Sequence, residues 1–434
     1  MGPSVEIIGG LPGDILEVEL GPKRRRKRQG RLLRVLRASG MRREPRCMHV
    51  PYCGGCAWQQ MDYGAQLGVK EGWLRELFGE EAPIRPIIPC EEPWQYRNKM
   101  EFSFSQNKAG ERFLGLVLAG SRGHVWNIGE CHLVSPWFMT VLEAVRKWWA
   151  QSGLEAYRRD DTGSLRTLTV REGKNTGDKL ILLTVSGNPA FGWQQRHIKG
   201  FVEAVEGAVG RERVSIFLRI QQACKGSQTQ FYEMHLSGPD HLLEKCRVGG
   251  REFTFKISPS SFFQPNTAQA ERLYSAALEM ISGVKEHILD LYAGIGTLGI
   301  VCSERAKQVT AIELNPYAVF DGESNKEING ITHCRMVRGD VGKALQALRQ
   351  EEGFVLPDLV IVDPPRSGLD KEALAHLAHL GPEEILYISC NPATQAANIH
   401  ELAKAGYILS ALQPVDQFPH TVHLEAIALL RRRL

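Results

Sequence analysis

The chain has 434 residues, of which 43% are hydrophobic and 24% charged, and this balance excludes a disordered or a collagen-like protein. No apolar run reaches the roughly 18 residues of a membrane-spanning helix, and the first residues lack the pattern of a secretory signal. We therefore expect a cytoplasmic protein without a membrane partner. Ten cysteines are too few for a disulfide scaffold, and clustered cysteines in a reducing compartment bind metal or take part in chemistry.

Positive charge is concentrated at the N-terminus. Residues 1–46 hold twelve Lys or Arg against five Asp or Glu, whereas the whole chain has a net charge of +4. The excess is densest in an unbroken basic run from Lys23 to Arg28. Such a run attracts polyanions and favours contact with nucleic acid, with a solvated loop or a localisation tract as the alternatives.

The first part of the chain predicts mainly strands. Residues 1–46 contain two or three strand-like runs, too few for a complete five-stranded barrel, so this piece should need a docking surface. Residues 58–80 predict a helix. Residues 94–255 alternate strand-like runs with a helix near 136–152, which indicates an α+β region with mostly antiparallel strands.

Regular alternation of strands and helices begins at Asn266, which is predicted to cap a helix, with Gln269 three residues later. Five strand-like runs then alternate with helical stretches, and two further runs close the chain. This order predicts an α/β fold in which a parallel, doubly wound sheet carries an antiparallel hairpin at one edge. The seven runs are 287–292, 308–313, 334–338, 358–362, 384–389, 406–412 and 424–430.

Polar or glycine-rich residues follow each of the five parallel strands, at the edge where doubly wound sheets bind ligands. We interpret five such signals at one edge as a binding site rather than as core packing. In chain order they are the D-L-Y-A-G-I-G run at 290–296, Glu313, Asp340, the D-P-P-R run at 363–366 and the S-C-N-P run at 389–392.

The glycines in the first of these turns allow a ligand to approach the backbone closely. Gly294, Gly296 and Gly299 satisfy G-x-G-x-x-G, and Glu313 could accept hydrogen bonds from a ribose. By themselves the glycines leave a nicotinamide dinucleotide and S-adenosylmethionine equally open. Asp290, the Asp-Pro-Pro element and the later cysteine favour S-adenosylmethionine and a methyltransferase.

The D-P-P-R run resembles the element with which amino-methyltransferases stack the base whose exocyclic nitrogen they methylate. Arg366 occupies the position of their aromatic residue, which favours methylation of carbon over nitrogen. Methylation at C5 of uracil needs a thiolate that adds to C6 and a base that removes the C5 proton. Cys390 fits the first role, because a helix that begins just after it can lower the pKa of a thiol. Glu425, at the start of an apolar strand, fits the second role, for which His423 competes.

Seven motifs occur along the chain: C-G-G-C after an upstream cysteine, W-Q-Y-R-N-K, S-F-F-Q-P-N, D-L-Y-A-G-I-G, V-D-P-P-R-S-G-L, S-C-N-P-A-T and H-T-V-H-L-E. With them the sequence resembles, over essentially its whole length, the S-adenosylmethionine-dependent RNA uracil-5-methyltransferases. It most closely resembles the branch that acts on 23S ribosomal RNA and carries an iron–sulfur cluster. The resemblance implies a Rossmann-like, class I methyltransferase domain at 256–434, an iron–sulfur and central α+β domain at 47–255, and a partial TRAM-like module, related to OB folds, at 1–46.

The resemblance also assigns roles to side chains. It implies that Cys390 attacks C6 of the uracil and that Glu425 accepts the C5 proton, and it suggests that Asp363 and Arg366 face the target base. Together with Gly294 and Gly296, the residues expected to contact S-adenosylmethionine are Gln264, Tyr292, Thr297, Glu313, Asp340 and Asp363.

Four cysteines correspond to the family's ligands for a 4Fe–4S cluster. The C-x5-C-x2-C spacing of the first three matches neither common ferredoxin pattern, so a structural zinc site is the alternative. Cys90 and His49 compete for the fourth position. We expect the cluster to hold a loop that helps to place RNA rather than to transfer electrons. The predicted ligands are Cys47, Cys53, Cys56 and Cys131.

The resemblance implies that the enzyme forms 5-methyluridine in 23S ribosomal RNA. Because the target base must leave its stack to reach Cys390, we expect a loop or flexible RNA segment as the substrate. We also expect the enzyme to be a monomer. Ribosomal RNA is favoured because transfer-RNA members of the family typically lack the cysteine cluster, while transfer RNA, another ribosomal site or several sites are the alternatives. Residues 96–99 (Y-R-N-K) are expected to contact RNA or the target base, with a solvated strand end as the alternative. Two alternatives come from other classes: an iron–sulfur, dinucleotide-dependent oxidoreductase and a non-catalytic RNA-binding assembly factor.

Overall fold

The computed structural model describes residues 5–21, 28–121, 123–223 and 229–433. Residues 23–27 of the predicted basic loop lie outside the described residues, whereas Arg28 begins a strand. Within the described ranges, no helix is both long enough and apolar enough to cross a membrane.

The N-terminal sheet consists of three short strands, β1 (Val5–Ile7), β2 (Ile15–Leu20) and β3 (Arg28–Arg37). Their order is β1-β3-β2, with β1 parallel and β2 antiparallel to β3. The sheet has little core of its own, because Leu11 is buried with Trp58 and Met61 of the following segment while Leu33 and Leu36 stay about half exposed. It therefore packs against its neighbour, as its length predicts.

A helix and a seven-stranded sheet follow. The elements are α1 (Tyr63–Phe78), β4 (Lys99–Gln106), β5 (Arg112–Val117), β6 (Val125–Trp126), α2 (Trp137–Ser152), β7 (Leu165–Glu172), β8 (Lys179–Ser186), α3 (Gln195–Val209), β9 (Val214–Gln222) and β10 (Gln230–Ser237). The sheet order is β10-β9-β8-β7-β4-β5-β6, and every neighbouring pair is antiparallel except β8 with β9. The predicted α+β region, α1 and α2 are confirmed. The prediction lacked α3, although Phe201 and Val205 recur on one face of that helix.

An antiparallel hairpin and a helix connect the two halves of the chain: β11 (Leu242–Val248), β12 (Arg251–Ile257) and α4 (Thr267–Met280). Cys246 and Phe255 of the hairpin share a core with Leu273 of α4 and Phe217 of the central sheet. The hairpin therefore joins the two large sheets. The predicted domain boundary at 255/256 falls inside β12 and stays a prediction.

The C-terminal region alternates strands and helices, as predicted. The elements are β13 (Lys285–Leu291), α5 (Thr297–Cys302), β14 (Ala306–Glu313), α6 (Pro316–Ile328), β15 (Cys334–Arg338), α7 (Val341–Leu348), β16 (Leu359–Val362), α8 (Lys371–Leu380), β17 (Glu384–Ser389), α9 (Pro392–Lys404), β18 (Tyr407–Val415) and β19 (Glu425–Arg432). Asn266 caps α4 as expected, since its side chain accepts a hydrogen bond from the backbone N–H of Gln269 at 3.2 Å.

The C-terminal sheet has the order β15-β14-β13-β16-β17-β19-β18. The strands β13 to β17 are parallel, and β19 runs antiparallel between β17 and β18. All residues of β16 and β17 are buried, because helices cover both faces of the parallel part, and this explains their unbroken apolar runs. The predicted doubly wound sheet with an antiparallel hairpin at one edge is confirmed.

Candidate active site

Two neighbouring strands of opposite direction, β17 and β19, meet at the edge of the C-terminal sheet where the parallel strands have their carboxyl ends. β17 ends at Ser389 and β19 begins at Glu425, and the antiparallel register pairs Ser389 with Ala426. Cys390, the residue after β17, therefore lies beside Glu425, the residue before Ala426. The structure thus brings the two side chains predicted to be catalytic together at the carboxyl end of the parallel strands.

Burial dominates the electrostatics of the Cys390 thiol and raises its pKa. The negative charges of Glu425 and Asp363 raise it further, whereas Arg366 lowers it through its charge and a hydrogen bond. The net shift is upward because desolvation and two neighbouring carboxyl groups outweigh the guanidinium of Arg366. The lowering expected from the start of α9 stays a prediction. In the resting site the thiol is protonated.

Glu425 is a buried carboxyl group with few partners. It is 3% exposed, and its Oε2 atom has no hydrogen-bond partner among the described residues. Burial raises the pKa of Glu425 well above its usual range, the charge of Asp363 adds to this shift, and Arg366 opposes it. Burial also raises the pKa of Asp363 to about 7. Two such neighbouring carboxyl groups do not readily ionise together, so the pair retains a proton near neutral pH.

Arg366 and His423 form the outer side of this cluster. Nη2 of Arg366 lies 3.5 Å from Nε2 of His423, and the Arg366 carbonyl accepts a hydrogen bond from Nδ2 of Asn391 at 3.0 Å. Burial and the positive charge of Arg366 lower the pKa of His423. The imidazole of His423 is therefore neutral at physiological pH.

The glycine turn after β13 is built around two carboxyl groups. Oδ2 of Asp290 accepts the N–H of Gly299 at 2.8 Å, which holds the start of α5 against the sheet. The carboxyl group of Glu313 accepts the N–H of Gly294 at 2.9 Å and another N–H from its own loop at 2.7 Å. Gly294 and Gly296 have left-handed φ angles of 56° and 78°, which glycine adopts without strain. The turn and the end of β14 therefore form one unit.

The other predicted cofactor residues lie at different depths along the same edge. Tyr292 has a φ of 62°, which is rare for a bulky side chain and indicates strain at the turn. Thr297 begins α5 and is buried. Gln264, in the loop before α4, is buried and accepts a hydrogen bond from Gln417 at 3.3 Å. Asp340 caps α7 with its side chain and is exposed.

A cavity of about 900 Å³ connects this edge to the cysteine segment, by which we mean residues 47–61. Arg366 and His423 line it on one side, and His49 also lines it. Cys90 lies elsewhere, where Nδ2 of Asn266 approaches its thiol at 3.5 Å. The lining includes all four predicted metal ligands, Cys47, Cys53, Cys56 and Cys131.

The four thiols influence one another electrostatically. Burial raises the pKa of Cys47 to about 11 and that of Cys56 to about 12, and in both cases the nearby Cys131 and Cys53 add to the shift. The N–H of Gly55 approaches Sγ of Cys53 at 3.4 Å. In the part of the chain that the structure describes, no group of three or more His, Cys, Asp or Glu side chains is arranged to hold a metal ion.

Similarity to known proteins identifies the family. An uncharacterized RNA methyltransferase of Protochlamydia amoebophila is 46% identical over 435 residues, which cover 97% of this chain and 98% of the relative. An uncharacterized RNA methyltransferase of Clostridium tetani is 30% identical, covering 100% of this chain and 93% of the relative. A family model described as tRNA (Uracil-5-)-methyltransferase matches residues 227–433. The chain belongs to the RNA uracil-5-methyltransferase family.

A solved structure agrees with membership in this uracil-5-methyltransferase family. The Pyrococcus abyssi tRNA (uracil-54, C5)-methyltransferase, in complex with S-adenosyl-L-homocysteine, matches with a TM-score of 0.74 and 25% identity over 98% of this chain and 94% of that chain. The family uses S-adenosylmethionine, and this decides between the two cofactors that the glycines alone left open. The predicted Rossmann-like methyltransferase fold is confirmed.

Residues 96–99 of this uracil-5-methyltransferase include two side chains that hold loops together. Tyr96 is buried and donates a hydrogen bond to the carbonyl of Pro419 at 3.1 Å. Asn98 is 1% exposed and donates to the carbonyl of Gln264 at 2.9 Å. Because neither side chain has surface to offer, the prediction of RNA contacts or a solvated strand end is wrong for both. Arg97, in contrast, lines the cavity.

Sequence reasoning missed a buried polar cluster around the loop that precedes Glu425. Lys70 and Asp416 form an ion pair at 2.5 Å, and both side chains are fully buried. Gln66 and His420 form hydrogen bonds within the same cluster. A partial signal was present, because Asp416 is an acid that directly follows the apolar strand β18.

Replacing Asp290 by Asn should change how stability depends on pH. Burial raises the pKa of Asp290 to about 8 in the folded protein, whereas an unfolded chain has an ordinary carboxyl pKa of about 4. Between these values the folded state keeps a proton that the unfolded state has released, so the wild type loses stability as the pH rises. The Asp290→Asn variant lacks this loss. As the pH rises, its free energy of unfolding should therefore increase relative to that of the wild type by up to about 1.4 kcal/mol per pH unit.

Urea unfolding of both proteins at several pH values between about 5 and 8 measures this difference in the free energy of unfolding. The Asn side chain can still accept the Gly299 N–H, so the comparison isolates the proton. A difference between the two proteins that does not change with pH would contradict the raised pKa.

Proposed function

We propose that this uracil-5-methyltransferase transfers a methyl group from S-adenosylmethionine to C5 of a uridine in 23S ribosomal RNA and so forms 5-methyluridine. One observation carries the proposal: the register of β17 and β19 puts a thiol beside a buried carboxyl group, at the edge that carries the glycine turn. Methylation of uracil at carbon requires these two groups. An oxidoreductase or a non-catalytic RNA-binding factor would leave Cys390 and Glu425 without roles.

The reaction follows from the chemistry of the two side chains. The Cys390 thiol first releases its proton to solvent, and Arg366 stabilises the thiolate that remains. The thiolate adds to C6 of the uracil, and the electron pair of the C5–C6 double bond makes C5 nucleophilic. S-adenosylmethionine supplies the methyl group on a sulfonium, and C5 takes this methyl group as the bond to sulfur breaks. With the proton retained by the pair on Asp363, the carboxylate of Glu425 then removes the C5 proton, the double bond forms again, and the C6–S bond to Cys390 breaks.

The electrostatics of the site support these roles. Arg366 stabilises the thiolate of Cys390 by charge and by a hydrogen bond, which opposes the effect of burial when the nucleophile forms. A glutamate whose pKa is raised well above its usual range takes up a proton readily near neutral pH. The register of β17 and β19 puts Glu425 directly beside Cys390, which supports Glu425 rather than His423 as the base.

We propose that S-adenosylmethionine lies across the glycine turn. The carboxyl group of Glu313, held by the N–H of Gly294, is positioned to accept hydrogen bonds from ribose hydroxyls. The methyl donor then lies at the same edge as Cys390, as the reaction requires. The other residues proposed to contact it are Gly296, Gln264, Tyr292, Thr297, Asp340 and Asp363.

We also propose that a 4Fe–4S cluster binds in the cavity and draws the four cysteines together as its ligands, since no three side chains in the described ranges are arranged to hold a metal ion without it. Thiolates are the ligands of such clusters, and all four cysteines line one cavity. N–H groups already approach two of the sulfur atoms, those of Cys53 and Cys56, and such donors commonly surround cluster ligands. The bound cluster would hold the cysteine segment beside Arg97 and Arg366, which line the same cavity.

The choice of RNA rests on the cysteines. The four cysteines that line the cavity support ribosomal RNA, since the sequence resembles the ribosomal branch in this feature. Transfer RNA is the second candidate, because the Pyrococcus abyssi tRNA (uracil-54, C5)-methyltransferase matches 98% of this chain. The proposed site is complete within one chain, which supports a monomer, and the nine cysteines in the described residues are all free, which supports the cytoplasm.

Mapping 5-methyluridine in RNA from cells with and without the gene distinguishes the two substrates. We expect one or more 5-methyluridines of 23S ribosomal RNA to disappear on deletion and to return when the wild-type gene, but not a Cys390→Ala gene, is restored. If 5-methyluridine disappears only from transfer RNA, the proposed ribosomal substrate is wrong and transfer RNA is the substrate.

RNA that contains 5-fluorouridine should trap the enzyme. Fluorine at C5 cannot leave as a proton, so the methylated protein–RNA adduct should persist on a denaturing gel. The Cys390→Ala variant should form no adduct, whereas Cys90→Ala, at a buried cysteine outside the cavity, should form it as the wild type does. No adduct with active wild-type enzyme, or an adduct with Cys390→Ala, would disprove attack by Cys390.

Protein purified without oxygen should contain about four iron and four sulfide per chain, with the visible absorption of a 4Fe–4S cluster. Cys131→Ala should lose most of this iron, because it removes one proposed ligand. Cys90→Ala should keep it and serves as the matched control. One zinc per chain without iron would overturn the cluster in favour of the structural zinc alternative.

A further inference from the structure

The loop that leads to Glu425 takes its position from a distant part of the chain. This base loop, residues 416–424, connects β18 to β19. Residues 58–96 supply hydrogen bonds to its backbone: the N–H of Trp58 donates to the carbonyl of His420 at 3.0 Å, and Nζ of Lys70 to that of Phe418 at 3.3 Å. Tyr96 donates to the next carbonyl in the same way.

Gln66 is the residue that joins the cysteine segment to the base loop. Its side chain is fully buried, and Oε1 accepts the N–H of His420 at 2.8 Å. Its Nε2 atom donates to the carbonyls of Trp58 at 3.1 Å and Met61 at 2.9 Å, just beyond Cys56. The same Nε2 atom lies 3.2 Å from Nδ1 of His420. One amide group thus fixes both segments.

His420 is held in a conformation that it would not adopt alone. Its φ is 64°, in the left-handed region that costs energy for a residue with a side chain. The ring is buried and stacks on Trp94, with ring centroids 4.0 Å apart. Such strain persists only where the surroundings impose it, and here Gln66 and Trp94 impose it.

Glu425 has few means of fixing its own side chain. Because its Oε2 atom lacks a hydrogen-bond partner among the described residues, the carboxyl group takes its position mainly from the backbone of the base loop and β19. Cys390 is placed differently, since the turn after β17 is held by a hydrogen bond from the N–H of Asn391 to Oγ of Ser389 at 3.1 Å. A change in the base loop should therefore displace the base and leave the nucleophile in place.

We propose that Gln66 is a positioning residue for Glu425, which acts through His420 and couples the base to the cysteine segment. This inference rests on the proposed function, in which Glu425 removes the C5 proton. Removal of that proton and release of the RNA should therefore depend on Gln66, whereas attack by Cys390 and methyl transfer should not.

The test uses the full-length protein, S-adenosylmethionine and an RNA substrate with ordinary uridine. The Gln66→Leu variant should form the covalent adduct and transfer the methyl group in a single turnover at close to the wild-type rate. Its release of RNA should slow by about 10- to 100-fold, because small displacements of a catalytic group have effects of this size. The adduct should then accumulate on a denaturing gel, as it should for Glu425→Gln.

Two further variants separate positioning from stability. His420→Asn keeps a residue that tolerates the left-handed conformation but loses the stack on Trp94, and it should also accumulate the adduct. Gln413→Leu is the matched control: Gln413 is a buried glutamine whose Nε2 donates to the carbonyls of Pro86 and Pro414 at 2.8 and 3.0 Å. This control should accumulate no adduct.

The outcomes distinguish the inference from the function beneath it. If Glu425→Gln accumulates no adduct, the proposed role of Glu425 fails. If Glu425→Gln accumulates it but neither Gln66→Leu nor His420→Asn does, the positioning role is wrong and the function stands. Equal slowing of adduct formation and release would show a purely structural role and would also overturn the inference. If Gln66→Leu does not fold, the His420→Asn variant tests the positioning role: accumulation of the adduct supports it, and no accumulation overturns it.

Discussion

The antiparallel course of β19 is the constraint on which the site depends. The five parallel strands all end at one edge of the sheet, so a sixth parallel strand would begin at the opposite edge. Because β19 runs the other way, its first residue, Glu425, lies at the edge where Cys390 follows β17. The glycine turn opens at the same edge, as the shared direction of β13 and β17 requires. The proposed nucleophile, the proposed base and the glycine turn thereby meet without any long loop.

Burial gives this edge its electrostatic character. Asp290, Asp363 and Glu425 all have raised pKa values, because water that would stabilise their charges is excluded. Arg366 is the cation that opposes these effects at both Cys390 and Glu425. A site of this kind holds protons that it can exchange near neutral pH, and that property suits chemistry in which a thiol is deprotonated and a carbon proton is later removed.

The upstream half of the chain completes this edge. Asn98 holds the loop of Gln264, and the buried Arg171 donates to the carbonyl of Ser261 in the same loop at 2.9 Å. Gln66 holds the base loop through His420. The central and cysteine segments therefore act on the active site through hydrogen bonds to loop backbones. The C-terminal sheet alone would lack these hydrogen bonds. The geometry of the proposed site therefore depends on residues from both halves of the chain.

The order of elements could be predicted because its signals are local. Apolar runs of strand length, helical periodicity and glycine turns depend on near neighbours in sequence, and they identified the doubly wound sheet and its hairpin. The edge that carries Cys390 could be predicted for the same reason, since the carboxyl ends of parallel strands share an edge. Glu425 lies at this edge because β19 is antiparallel to β17. The missed helix α3 shows the limit of that reasoning, because a short amphipathic segment competes with many loops of similar composition.

The sequence by itself determined which residues could react, and the tertiary structure decided how they are placed and charged. The direction of the Cys390 pKa shift depends on how much water the folded chain excludes and on carboxyl groups from two other strands. The burial of Tyr96 and Asn98, which removes them from RNA, depends on loops more than 160 residues away in sequence. Spacing could not separate Cys131 from Cys90, and only folding brought one of them to the cavity. Burial and long-range contact are properties of the whole fold, and no local pattern encodes them.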